Sequence, residues 1–237
     1  MSIKPTQIQV LDLTIDVVKK DIKNLHLSVY PPTGRIHISS PKELNDEAIR
    51  LFAVSKIRWI KKHQKGFYEQ LREQPREYID GESHFFDGSR YLLKVNEQSG
   101  KHHIKIKNKT VLELYVNANT STEGKQKVFS EWYRSHLKNI VPELIEKWEK
   151  IIGVDCKNWE IKKMKTQWGS CKIEKKKIIL NLELAKKPRY CLEYIIVHEL
   201  VHLLERNHND NFRAYLNKYM PNWKSIKDEL NNLPVSK

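Results

Sequence analysis

Residues 193–212 have the sequence Glu-Tyr-Ile-Ile-Val-His-Glu-Leu-Val-His-Leu-Leu-Glu-Arg-Asn-His-Asn-Asp-Asn-Phe. Within it, His198 and His202 stand four residues apart, with Glu199 next to the first. Residues i and i+4 lie on the same face of a helix, so both imidazoles can bind a single metal ion. The H-E-x-x-H spacing therefore predicts two zinc ligands and, at Glu199, a general base that reaches a water on the metal.

A third ligand is available six residues further on, at His208. It can join the other two if the helix ends before it, and Asn207 tolerates the left-handed conformation that ends helices. Asp210 is a candidate cap for a new helix from Asn211. A catalytic zinc takes three protein ligands and keeps one position open. The alternative is a buried helix with hydrogen-bonded histidines, but polar groups in so apolar a run are costly without partners, which favours the metal.

The composition is that of a soluble globular protein. The chain has 237 residues, 39% of them hydrophobic and 30% charged, enough for one large domain or two small ones. No apolar stretch approaches the roughly 20 residues that cross a membrane, and residues 1–7 lack the apolar core of a secretion signal. Cys156, Cys171 and Cys191 form an odd set without CxxC spacing. These features predict a protein of the reducing cytoplasm with no membrane partner.

The net charge of +14 is concentrated in one part of the chain. Residues 157–187 contain ten lysines against three acids, which gives that stretch a net charge of +7. A lysine-rich solvated surface is the favoured interpretation, and a nucleic acid or an acidic partner is the other. The shortage of arginine and of interleaved aromatic residues weakens the nucleic-acid interpretation.

The hydrophobic pattern predicts an α+β protein with a β-rich N-terminal half. Residues 7–40 are expected to form strands, beginning with one alternating strand from Ile8 to Val17 and followed by a pair joined at 31–34. One long helix is expected at about 43–72. Strand patterns return over 76–118, with turn signals at Asp-Gly pairs.

A second domain is expected to begin near residue 120, because residues 117–125 are rich in Thr, Ser, Asn and Gly. The sequence thus predicts a β-rich region at 1–120 with the long helix, and a metal-binding domain at 121–237. Beyond residue 125 we expect a helix that Pro142 kinks or divides. An edge strand is expected at 178–184, where an extended peptide can add to the sheet.

Several motifs together resemble the YgjP-like zinc metallopeptidase family, which is akin to the SprT and WLM groups. They are Trp168-Gly-Ser-Cys, Asn181-Leu, the stretch 194–202, Asn207-His208 with Phe212, and Met220-Pro-Asn-Trp. The resemblance extends over nearly the whole chain and is most specific in about the last 75 residues. It implies a zincin-like fold and a peptide or protein substrate. It also implies one Zn²⁺ per chain on His198, His202 and His208, with Glu199 as general base.

One position departs from the family pattern. The family commonly has arginine before Trp-Gly-Ser-Cys, whereas this chain has Gln167. Glutamine lacks the charge and the bidentate hydrogen bonding of arginine, so activity or substrate preference is in question while metal binding should survive. A catalytically silent scaffold that binds zinc without turnover is therefore one alternative. Another is a nucleic-acid-associated protein whose zinc site is structural or acts on DNA-bound proteins, which the charge and the SprT kinship suggest.

The sequence also offers candidates for contacts to the transition state or the substrate. Tyr194, Trp168 and Gln167 are the candidates, and Tyr215 and Tyr219 follow the third histidine. For each tyrosine the alternative is a packed aromatic ring. Hydrogen-bond partners for the histidines are sought among Glu193, Glu205, Asn207 and Asp210. Cys171 is interpreted as a core or turn residue rather than a nucleophile.

Overall fold

The computed structural model describes residues 6–30, 33–69 and 76–232. The chain forms two compact units, one within residues 1–72 and the other within residues 73–236. Sheets occupy the N-terminal half and helices dominate the remainder, which confirms the α+β class. No helix in these three ranges combines the length and the apolar composition that crossing a membrane requires.

The first unit contains a four-stranded sheet. Its strands are β1 (Thr6–Val10), β2 (Leu13–Lys20), β3 (His26–Tyr30) and β4 (Arg35–Pro41), in the order β1-β2-β4-β3 with β2 parallel to β4. The single strand predicted from Ile8 to Val17 is wrong, because the chain turns at Leu11, which has a φ of 54°. Leu11 is 78% exposed, so the apolar alternation passes through the turn without marking it.

The long helix predicted at 43–72 is also wrong. The structure has two helices, α1 (Asp46–Ser55) and α2 (Ile57–Glu69), and residues 70–72 lie outside the described residues. Asn45 caps α1 by accepting a hydrogen bond from the Ala48 N–H, and the backbone N–H of Lys56 closes it. Ile49, Ala53 and Ile60 are fully buried against the sheet core.

The second unit begins with another four-stranded sheet. Its strands are β5 (Ser83–Phe86), β6 (Ser89–Glu97), β7 (His103–Lys107) and β8 (Val111–Val116), in the order β5-β6-β8-β7. This sheet shares one hydrophobic core with the long helix α3 (Thr122–Ile152). The Tyr133 hydroxyl donates to the Phe85 carbonyl at 2.8 Å. The division predicted at residue 120 therefore differs from the observed one, since the loop there connects parts of a single core.

Helix α3 lies along the second core. Its buried residues recur at intervals of three or four, as helical geometry requires: Phe129, Tyr133, Leu137, Val141, Leu144, Ile145, Trp148 and Ile152. Pro142 lies on the exposed side and does not divide the helix. A left-handed Gly153 ends it, with its N–H bonded to the Glu149 carbonyl.

A three-stranded sheet and three helices complete the unit. The strands are β9 (Asn158–Lys162), β10 (Gly169–Lys172) and β11 (Lys177–Asn181), in the order β10-β11-β9. The edge strand predicted at 178–184 is therefore wrong, because β11 is central and β10 forms the edge. The helices are α4 (Arg189–Val201), α5 (Asp210–Tyr219) and α6 (Trp223–Asn232). Helix α4 packs against α3, β10, β11, α5 and α6, which places it at the centre of the unit.

Candidate metal centre and active-site cleft

Helix α4 carries the first two histidines. It begins after Pro188, whose φ of −54° suits a helix start, and its buried apolar residues hold it in the core. The helix ends at Val201 with His202 as its C-terminal cap. The ring centroids of His198 and His202 lie 5.0 Å apart, as the i, i+4 spacing predicts.

The chain reverses after α4 and returns His208 to the same place. Helix α5 begins at Asp210, where Asn209 caps it by accepting a hydrogen bond from the Phe212 N–H at 3.0 Å, one residue earlier than predicted. The Nε2 atoms of His208 and His198 are 3.0 Å apart. One ligand nitrogen from each of the three histidines lies within 4.8 Å of the other two.

The donor set fits a zinc ion. Zn–N bonds of about 2.0–2.1 Å in a tetrahedron put ligand nitrogens about 3.3 Å apart, close to the separation of the two Nε2 atoms. His202 Nδ1 donates to the Glu205 carbonyl at 3.1 Å, which leaves its Nε2 unprotonated for a metal. His198 Nδ1 is buried, and no described residue forms a hydrogen bond with it.

All three imidazoles are held in the neutral form that metal ligation needs. Burial, followed by the neighbouring His202, His208 and Lys227, lowers the pKa of His198 to about 3. Burial is also the main cause of the lowered pKa values of His202 and His208. The site therefore disfavours protons and leaves three nitrogen lone pairs available to a cation.

Phe212 forms the wall behind the histidines. Its ring centroid lies 4.9 Å from His198, 4.7 Å from His202 and 4.6 Å from His208. The side chain is only 2% exposed. The rings consequently pack on a rigid apolar surface that limits their rotation and excludes water from that side.

Glu199 lies buried beside the triad, at 4% exposure. Burial raises the pKa of its carboxyl to about 8. A Cβ atom added at Gly169 would lie 2.6 Å from Glu199 Oε1 and 2.8 Å from Ile195 Cγ2. Only glycine at the start of β10 allows the carboxyl group to lie this close to the strand.

A cleft of about 870 Å³ opens over these residues, entirely within the second unit. The predicted residues Gln167, Trp168 and Tyr194 all line it. The Tyr194 ring lies 5.9 Å from that of His198, and burial raises its pKa to about 12. Tyr215 and Tyr219 do not line the cleft and stack on each other with centroids 6.3 Å apart.

Cys171 also lines the cleft, but as a thiol. Burial, followed by the charge of Glu199, raises its pKa to about 12. Because the thiolate is the nucleophilic form, this supports the interpretation of Cys171 as a packing residue.

Of the four residues predicted to contact the histidines, only Glu205 does so, through its carbonyl group. Glu193 instead accepts hydrogen bonds from Lys147 and from the Trp148 indole, at 2.7 and 2.8 Å. The Asp210 carboxylate pairs with Arg213. The Asn207 N–H donates to the side chain of Glu205.

Sequence reasoning gave no role to Asn181, which holds the loop before β10. Its Nδ2 donates to the carbonyls of Met164 and Gln167 at 2.9 and 2.8 Å, and its Oδ1 accepts from the N–H groups of Met164 and Glu183. The loop bearing Gln167 and Trp168 is thereby fixed at the cleft. Asn181-Leu was one of the motifs that carry the family resemblance, but nothing in the sequence showed which backbone groups its side chain would bind.

Half of the lysines in the stretch 157–187 are paired with carboxylates. Five of its ten lysines lie next to carboxylates: Lys157 and Lys176 at Asp155, Lys162 and Lys177 at Glu160, and Lys186 at Glu183. Local pairing reduces the charge available to a phosphate backbone. No contact in the described part of the chain supports a nucleic-acid partner.

Comparison with known protein families decides the identity. A family model described as "YgjP-like, metallopeptidase domain" matches residues 23–233, most of the chain. The chain belongs to the YgjP-like family. It is therefore a metallopeptidase, which confirms the resemblance seen in the sequence. No curated relative was found at a significant level.

Two solved structures are similar to part of this YgjP-like chain. They are the metallopeptidase zymogens Pyrococcus abyssi abylysin, with 24% identity and a TM-score of 0.37, and Methanocaldococcus jannaschii jannalysin, with 25% and 0.35. Each match spans 38% of this chain, and it spans 91% of abylysin and 92% of jannalysin. The family assignment rests on the family model alone.

Proposed function

We propose that this YgjP-like protein is a zinc-dependent peptidase that holds one Zn²⁺ on His198, His202 and His208, with Glu199 as general base. The observation that carries the proposal is the convergence of three neutral imidazoles, with ligand nitrogens within 4.8 Å, beside a buried carboxyl group at an open cleft. A zinc ion at this position supplies Lewis acidity, which polarises a peptide carbonyl and lowers the pKa of water.

Glu199 would take the proton from the attacking water and later deliver it to the leaving amine. Its buried position suits both roles, because burial alone raises its pKa to about 8, and a nearby divalent cation would favour the charged form. The contact with Gly169 fixes where the carboxyl group lies.

Strand β10 would bind the substrate backbone. The Asn181 N–H donates to the Trp168 carbonyl, so the hydrogen-bonded pairs with β11 continue at Ser170 and Lys172. The backbone groups of Gly169 and Cys171 then point away from β11, towards the open edge. An extended peptide can pair with them and pass in front of Glu199.

Tyr194 and Trp168 are placed to contact the substrate because both line the cleft. Gln167 also lines it, in the place where the family commonly has arginine, and its neutral amide would weaken recognition of an anionic group there. The metal ligands come from α4 and the loop after it, so we expect zinc binding to be independent of Gln167.

Incubation with a mixed peptide library, followed by mass spectrometry of the products, tests this function. The zinc-loaded wild type should cleave a subset of peptides, and Glu199→Gln should reduce cleavage by at least about 100-fold while keeping the zinc. Zinc binding without cleavage by the wild type would instead support the silent scaffold. A cytoplasmic location stays a prediction from the sequence.

A further inference from the structure

We infer that the cleft selects peptides with acidic side chains near the bond that is cut, and that Lys227 is the main determinant of this preference. The inference rests on the proposed peptidase function and names its class of substrate.

The cationic side chains of the cleft come from four separate elements. Lys172 lies at the end of β10, Lys175 in the 3₁₀ turn that follows it, Arg206 in the loop after α4, and Lys227 on α6. Among the described residues, none of the four is paired with a carboxylate. Five other lysines of the stretch 157–187 are paired with carboxylates, whereas these four charges are available to a ligand.

Acidic groups in the same cleft are few. The only carboxyl groups among its lining residues are those of Glu174 and Glu199. Glu199 is buried against Gly169 and has a proposed catalytic role, which leaves Glu174 as the only other acid among the lining residues. Apolar residues complete the walls: Ile195, Leu203, Leu204 and Leu230. The lining therefore suits a peptide that mixes carboxylate and apolar side chains.

Lys227 is singled out by its position beside the metal centre. It lines the same cleft as His198 and His208, and its helix α6 packs against α4, which carries His198. Its Nζ lies 5.8 Å from the centroid of the Trp223 ring, which steadies the ammonium group without neutralising it. A cation in the cleft that also holds the histidines would attract a carboxylate next to the bond that is cut.

The same helix provides a matched control. The Nζ of Lys224 also lies 5.8 Å from the Trp223 ring, yet Lys224 does not line the cleft. Loss of Lys224 or of Lys227 removes one unit of positive charge and one contact with Trp223 in either case. Only the Lys227 change removes a charge from the cleft, so a general attraction to the +14 chain is separated from local recognition.

The experiment uses two labelled ten-residue peptides, alternating Glu-Leu and alternating Gln-Leu, with the zinc-loaded full chain. Binding is measured by fluorescence anisotropy on Glu199→Gln, to prevent cleavage, alone and combined with Lys227→Met or Lys224→Met. Cleavage of both peptides by the wild type is followed in parallel.

We expect the Glu peptide to bind at least about fivefold more tightly than the Gln peptide. The preference should fall below about twofold with Lys227→Met and persist with Lys224→Met. Equal affinities, or equal losses in both variants, would overturn the inference. Cleavage of both peptides at the same rate would support the peptidase and contradict the preference, whereas Lys227-dependent binding without any cleavage would support the acidic recognition and contradict the peptidase.

Discussion

Substitution of Gly169 by alanine tests whether the position of Glu199 governs the reaction. The added Cβ would lie 2.6 Å from Glu199 Oε1, 2.8 Å from Ile195 Cγ2 and 2.9 Å from Glu199 Cγ. Normal contacts begin near about 3.4 Å, so the carboxyl group must move by about 0.8 Å. Gly169 does not have a positive φ, and alanine therefore brings steric crowding without backbone strain.

A displacement of about 1 Å in a catalytic group can lower the rate by about 100-fold. We therefore expect kcat of Gly169→Ala to fall by about that factor, with zinc content unchanged because no ligand is touched. Overpacking should also lower the free energy of unfolding by about 1–3 kcal/mol. The assay is steady-state cleavage of a library-selected peptide, together with metal analysis by mass spectrometry.

The control is Gly124→Ala, which adds the same methyl group at the start of α3. Its Cβ also meets a close neighbour, Thr120 Cγ2 at 2.8 Å, but outside the cleft, and that side chain can move. This variant should keep the wild-type kcat. If Gly169→Ala retained wild-type kcat, the reasoning that links this contact to the base would be refuted.

Three further predictions concern buried residues of the second unit. Asn181→Ala should lower the free energy of unfolding by about 2–4 kcal/mol in denaturant titrations, because backbone groups of the cleft loop lose their hydrogen-bond partners. The control Asn158→Ala, at an exposed position, should change this free energy by less than about 0.5 kcal/mol. Phe212→Ala should lower the free energy of unfolding by about 3–5 kcal/mol and weaken zinc binding in a chelator competition. If Phe212→Leu weakened zinc binding as much as Phe212→Ala does, a simple packing role for Phe212 would be contradicted. His84 has its pKa lowered to about 4, mainly by burial, so the folded protein binds fewer protons than the unfolded chain as the pH falls from about 6.5 towards 4. The free energy of unfolding should therefore fall by about 2 kcal/mol through His84 between pH 7 and pH 5. His84→Gln should lose less stability over this range, and equal losses in the two proteins would contradict this prediction.

The convergence of the histidines could be predicted from the sequence because helix geometry fixes the relative positions of residues four apart. His198 and His202 share a face through their spacing alone. Asn207 was expected to end the helix in a left-handed conformation, but α4 ends at Val201 and Asn207 does not have a positive φ. The Asn209 cap of α5 was placed one residue too late, since Asn and Asp are nearly equivalent as caps. The family motifs added the roles that spacing alone leaves open.

Contacts between distant parts of the chain could not be predicted from the sequence. Gly169 and Glu199 are 30 residues apart, and only the folded structure brings them together. The loop at 117–125 has the composition of a linker, but polar loops also connect parts of one core, so the predicted division at residue 120 differed from the observed units. The break at Lys56 was invisible because the apolar spacing continues from α1 into α2.

Metal analysis of three proteins purified without chelator tests the central claim most directly. The claim assigns the three histidines to zinc and Glu199 to proton transfer. The wild type and Glu199→Gln should each carry about one zinc per chain, whereas His208→Ala should lose it or bind it much more weakly. A wild type that takes up no zinc even when it is supplied, or a Glu199→Gln variant that loses zinc as His208→Ala does, would contradict the account.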